Sequence, residues 1–77
     1  MKSMMTREEL ANTIKEIFAI EDPSINHCKK AAFAIANYDG DTEDGFEVVK
    51  ELFDYGIMNM VIDEYNFYFK KRYPKYR

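Results

Sequence analysis

Leu10, Ile14, Ile17 and Phe18 recur at i, i+4, i+7 and i+8, the spacing of one helix face. They follow Thr6 and Glu9, which stand three apart as a capping box. A first helix is predicted from about residue 7 to 20. In "EDPS", Asp22 or Ser24 can cap and Pro23 suits a first helical position, so the chain restarts there. The second helix reads "SINHCKKAAFAIANY". Its segment "AAFAIA" is apolar on every side and its alanines allow close approach, which predicts the central, most buried helix. It should stop near Tyr38, with Gly40 in the left-handed conformation of a helix end. A third helix opens at Asp41 or Thr42, carries Glu43 and Asp44 in its first turn, and turns Phe46, Val49, Leu52 and Phe53 inward. Gly56 ends it, with Ile57 as the accompanying apolar contact; a single helix bent at Gly56 is the alternative. The fourth, "IMNMVIDEYNFYFKKRY", places Met58, Val61, Ile62, Tyr65, Tyr68 and Phe69 on one face, and Pro74 closes it. "YNFYF" has strand propensity, but the two-residue alternation of a half-buried strand is absent and the helical spacing continues on both sides. The predicted class is all-α: a compact single-domain bundle of four short helices spanning 1–77, with 1–5 and 73–77 as frayed tails.

Seventy-seven residues lie near the lower limit at which an apolar core suffices without disulfides or metal. Here 47% of residues are apolar and 12 are Phe or Tyr, enough for a dense core. The single cysteine, Cys28, cannot form an internal disulfide, and no apolar run has the length of a signal peptide or a membrane span. The expectation is a soluble cytoplasmic protein with no membrane association.

Net charge is −3, but residues 1–69 carry 6 Lys/Arg against 14 Asp/Glu, a balance of −8, while the last eight, "KKRYPKYR", carry +5. Charge so segregated speaks to partners more than to fold. The stretch "YDGDTEDGFE" suggests a calcium loop and fails as one. Starting at Asp39, ligand positions 1, 3 and 5 are Asp39, Asp41 and Glu43, but position 6 is Asp44 where glycine is needed and position 12 is Lys50 where glutamate is needed. Starting at Asp41 puts Gly45 at position 5 and Leu52 at position 12. An acid-capped turn explains the first half of the stretch. Beyond it, Glu43, Glu47, Glu51 and Asp54 fall within about 80° of one another on the third helix. Their i,i+4 pairs repel where alternating Glu and Lys would attract. Residues 39–54 hold seven acids and one lysine.

Such a stripe serves as a solvated face or as a docking surface for a basic partner; carboxylates one turn apart, ~5–6 Å, repeat much as nucleic-acid charge does. At the other end, Lys70, Lys71 and Arg72 in a last helical turn complement the helix dipole. Interleaved with Tyr73, Lys75, Tyr76 and Arg77, they also form the combination that grips phosphates and stacks on unpaired bases. A helix-turn-helix reading would make the acidic third helix the recognition element, which phosphates repel. His27 and Cys28 are adjacent, so on a helix they point ~100° apart and make neither a nucleophile–base pair nor a zinc site. On the fourth helix, Met60 and Phe67 lie off the inward face, as a second core ridge or as an exposed patch of the kind found at interfaces.

No paired acid/base set and no phosphate loop is present, and a chain this small leaves little room for a pocket. No enzyme, metal or cofactor is therefore expected. In size and charge the chain is similar to phage-encoded or mobile-element inhibitors and bacteriocin immunity proteins. The acidic stripe and the loop before it, not that likeness, carry the expected function: a small regulator or inhibitor that covers a basic site on a larger protein, with Asp39, Asp41, Glu43, Asp44, Glu47, Glu51 and Asp54 as the contact residues and nucleic-acid mimicry as one mode. The alternative is a nucleic-acid-associated protein acting through Lys70 to Arg77. A homo-oligomer in which the acidic helix meets a neighbour's basic tail is a third reading.

Overall fold

Four α-helices form where the apolar spacing predicts them, in a computed structural model that describes residues 4–19 and 24–76: α1 (Arg7–Ile17), α2 (Ile25–Ala36), α3 (Thr42–Leu52) and α4 (Tyr55–Phe69). Asp22, Pro23 and Arg77, and residues 1–3 of the expected N-terminal tail, lie outside the described residues. The fold is all-α, with no strand among the described residues; the one departure is an isolated parallel bridge between Met5 and Tyr38.

The capping box at α1 is present: the Glu9 N–H donates to Thr6 Oγ1 at 3.2 Å, and Glu9 Oε1 accepts from the Thr6 N–H at 2.9 Å. The helix stops at Ile17, short of the expected residue 20, and Phe18 forms its C-cap. Leu10, Ile14 and Phe18 are buried. At α2, Ser24 is the N-cap and its N–H donates to His27 Nδ1 at 2.9 Å, which gives the histidine a structural partner.

The helices close a ring in which α1 touches α2 and α3, α4 touches the same two, and α1 and α4 stand apart. α2 packs most extensively on α4 and also meets α1 and α3. Cys28, Ala31, Ala32, Ala34 and Ile35 on α2 meet Val48 and Val49 of α3 and Val61 and Ile62 of α4 in one core. Each fully buried aliphatic side chain there contributes about 1.5–3 kcal/mol relative to its exposure. Val48 joins the core although its position is outside the predicted inward set, whereas Phe53 is half-exposed and packs edge-on to Phe18 at 5.2 Å.

Three predicted helix ends are corrected. Gly40 is not left-handed, since no glycine has positive φ. α2 ends at Ala36 because residues 37–39 turn to pair with Met5: the Met5 N–H donates to the Asn37 carbonyl at 2.7 Å and the Asp39 N–H to the Met5 carbonyl at 2.8 Å. Met5, expected to fray, is thus tied down. Gly40 instead makes room, because a Cβ there would lie 2.7 Å from the Tyr38 ring. Gly56 does not end α3; the helix stops at Leu52, and Gly56 is the second residue of α4, whose N-cap is Asp54. The fourth helix ends at Phe69, before Lys71 and Arg72. Lys70 adopts the left-handed conformation (φ 55°, ψ 49°), and the Lys71 N–H donates to the Asn66 carbonyl at 3.1 Å.

Past that turn residues 71–76 run back along α4, where the tail expected to fray is held at two points. Asn66 holds Tyr73 by both backbone groups, accepting from its N–H at 3.0 Å and donating to its carbonyl at 2.9 Å. Asn59 holds Tyr76 in the same way, with both distances 2.7 Å. Asn59 and Asn66 are seven residues apart, about 10.5 Å along a helix, and three residues of extended chain cover about 10 Å. The two carboxamides therefore match the 73-to-76 spacing of the tail.

Candidate functional site

The seven acids expected to form one surface divide by what they touch. Asp54 is a cap: its Oδ1 accepts from the Ile57 N–H at 2.8 Å. Asp44 and Glu51 face α1, where Arg7 reaches both, Nε to Asp44 Oδ2 at 3.3 Å and Nη2 to Glu51 Oε1 at 3.3 Å. Asp44 also accepts from the Tyr38 hydroxyl. That bond, with Arg7 beside it, holds the Asp44 carboxyl below its ordinary range; the bond also raises the Tyr38 phenol above its own, against the opposing charge of Arg7. Asp41 is the N-cap of α3 by backbone conformation, without a side-chain bond to the helix. Asp39, Asp41 and Glu43 are exposed on the α2–α3 turn and the first turn of α3. Glu47 pairs with Lys50 at 3.4 Å, and the two carboxylates at 47 and 51, with Tyr55 nearby, raise the ammonium.

Glu43 and Glu47 border a concavity of about 260 Å³ between α3, α4 and the returning tail. Its floor is Phe46, Met58 and Ile62, and its far wall is Pro74, Lys75 and Tyr76. Lys75 pairs with Asp63 at 3.3 Å. The tail wall is fixed by aromatic packing as well as by the asparagines. Tyr73 lies edge-on to Phe46 and Tyr65, with centroids 5.4 and 5.8 Å away, and Tyr76 stacks on Tyr55 at 3.9 Å and 9°.

The structure therefore brings Glu43 and Glu47 together with Lys75 and Tyr76, residues assigned from sequence to two different surfaces. It separates them from Lys70, Lys71 and Arg72, which are exposed beyond the end of α4 and not in its last turn. The tyrosines expected to stack on bases are already packed against protein rings. Arg7, Asn59 and Asn66 were not singled out by sequence, although they decide which acids and which part of the tail stay outward. The 59/66 spacing against 73/76 was a readable signal for two of them; Arg7 carried none, because its partners are 37 and 44 residues away.

Cys28 is buried, and burial, with Glu64 nearby, pushes its thiol upward. A thiol so placed is a poor nucleophile. Among the described residues no group of three or more His, Cys, Asp or Glu is disposed to hold a metal ion, and no helix is long and apolar enough to cross a membrane. Compared with known protein families, with curated proteins and with solved structures, the chain finds no match in any of the three.

Proposed function

We propose that the protein is a non-enzymatic binding module, a regulator or inhibitor that covers a basic segment of a larger protein with the α2–α3 turn and the adjoining wall of α3. The observation that carries this reading is the concavity with an apolar floor (Phe46, Met58, Ile62) and two carboxylates, Glu43 and Glu47, on its rim. Its ~260 Å³ lies below the 300–1,000 Å³ common for small-molecule pockets. A lysine or arginine of a partner suits it, since the aliphatic stem lies on apolar surface while the charge reaches the rim. Asp39 and Asp41 extend the negative field beyond the rim and speed the approach of a cation. Asp44, Glu51 and Asp54 are occupied within the fold and support the surface without forming it.

The test is binding of a panel of short peptides, each with one Lys or Arg beside an apolar residue, compared with the same peptides carrying Gln, followed by amide chemical shifts. Basic peptides should move the resonances of Glu43, Phe46, Glu47 and Ile62, and binding should weaken with salt. Glu43→Lys with Glu47→Lys should remove binding at unchanged helical content. Equal binding by the Gln peptides, or survival of binding in the double variant, would sink the reading. Glu51 is a poor choice for charge reversal because the change would also break its contact with Arg7.

A further inference from the structure

On the side of the molecule formed by α2 and α4, five large apolar side chains stay in water: Ile25 at 64% exposure, Phe33 at 41%, Met60 at 39%, Phe67 at 74% and Tyr68 at 40%. This settles the second ridge of α4 as exposed surface. The five form two groups spread along the two helices. Ile25 and Met60 line one shallow cavity of about 130 Å³ with Cys28, Asp63 and Glu64, and Phe33, Tyr68 and Phe67 form a chain of ring contacts at 5.5 and 5.0 Å. These contacts show that α2 and α4 run in the same sense, with Ile25 level with Met60 and Phe33 level with Tyr68. Between those ends, at the fourth residue on from Ile25 and from Met60, stand Lys29, whose Nζ lies 4.9 Å from the Tyr68 ring centroid, and Glu64. Lys30 flanks Lys29 on α2, and Asp63, which pairs with Lys75, flanks Glu64 on α4. Lys29 and Glu64 are half-buried.

We infer that this face is the contact of a homodimer. A two-fold contact needs a surface that complements itself, and this one does. With the two-fold axis parallel to the helices, α2 of each copy lies on α4 of the other in the same sense. Ile25 then meets Met60 of the partner subunit, Lys29 meets Glu64 of the partner subunit, and Phe33 meets the partner's Phe67 and Tyr68. The positions 25, 29 and 33 recur every four residues, as do 60, 64 and 68, so apolar, charged and aromatic levels coincide all along the contact. Each Lys–Glu contact occurs twice. A foreign partner would need neither the match of levels nor the opposite charges on the two helices. The acidic rim of α3 and the cavity beside it lie on a different side of the ring and stay open in such a dimer.

The patch covers three turns of two helices, which places the contact at the small end of specific interfaces and calls for dissociation in the micromolar range. Sedimentation equilibrium from about 10 μM to about 1 mM protein should show the wild-type chain passing from monomer to dimer. Lys29→Glu and Glu64→Lys should each weaken self-association about tenfold or more, since every copy then meets two like charges. Mixed one to one, the two variants should recover a dimer close to wild type in affinity, because both contacts of the heterodimer join opposite charges. Phe67→Glu changes the most exposed of the five residues, so it should abolish the dimer at an unchanged melting temperature. A wild-type chain that stays monomeric to 1 mM, single variants that associate as tightly as wild type, or a mixture that gains nothing would each overturn the homodimer.

Discussion

Gly45 lies inside α3, where a glycine costs about 1 kcal/mol against alanine in helix propensity. It is kept for space: a Cβ there would come within 2.8 Å of Ile35 Cγ2, on the fully packed side of α2. Gly45→Ala should therefore destabilise by about 1–3 kcal/mol despite the better helix former, read as a lower denaturation midpoint at unchanged slope. A rise in stability would show slack between α2 and α3. Cys28 makes a second expectation at this scale. Its thiol is buried and its ionisation pushed upward, so a thiol-directed reagent at pH 8 should react with the native chain far more slowly than with the unfolded one. In both cases sequence named the residue but not the reason. Gly45 entered the reading only as a failed calcium-ligand position and Cys28 only as neither nucleophile nor zinc ligand, since what each does depends on a neighbour from another helix.

At the scale of elements, most of the inward faces of α1, α3 and α4 were legible, because burial repeats with the helix period and the period is written in the chain, although Phe53 and Tyr68, predicted inward, lie at the surface. Leu10 and Ile14, Phe46 and Val49, and Met58, Val61, Ile62 and Tyr65 all stand in the core as their spacing predicts. Helix ends were less legible. Gly40 and Gly56 suggested stops by residue type, yet neither takes positive φ, and the one left-handed residue among those described is Lys70. The stop at Lys70 follows from tertiary bonds: the carboxamides of Asn66 and Asn59 capture the backbone of Tyr73 and Tyr76 and draw the chain back. A lysine held at φ 55° is strained where glycine is not, so Lys70→Gly should stabilise by about 0.5–1 kcal/mol. Asn66→Ala, by contrast, leaves both Tyr73 backbone groups without their partner and should cost about 1–3 kcal/mol. Amide exchange should then rise at Tyr73 and Tyr76 before it rises in α1. Uniform acceleration through the whole chain would mean that the tail and the bundle open as one.

For the whole molecule, the decisive electrostatic feature is the junction at Asp44, where Tyr38 from the end of α2 and Arg7 from the start of α1 converge on α3. The seven acids looked uniform along the sequence, and Asp44 is set apart from the rest by these two residues, one six positions away and one thirty-seven. Stability should follow their titration at both ends of the pH scale. The Asp44 carboxyl is held low, chiefly by the Tyr38 hydroxyl and then by Arg7. Its contribution is therefore complete above the ordinary carboxylate value of about 3.9 and is lost as pH falls through the lower folded value. The Tyr38 phenol is raised, chiefly by its bond to Asp44. Its contribution is complete below the ordinary value of about 10 and is lost as pH rises through the higher folded value. Melting temperature plotted from pH 2 to 11 should thus fall at both limbs. Tyr38→Phe should lower the plateau and flatten the alkaline limb, since no phenol remains to ionise there, and it should weaken the acid limb because Asp44 loses its main donor. Asp44→Asn should flatten the acid limb and leave the Tyr38 phenol nearer its ordinary value, moving the alkaline fall to lower pH. Curves for both variants that run parallel to wild type would show that the junction does not couple the three helices to pH. A change confined to the predicted limbs would show that acids which look alike along the chain are set apart by what folding brings to them.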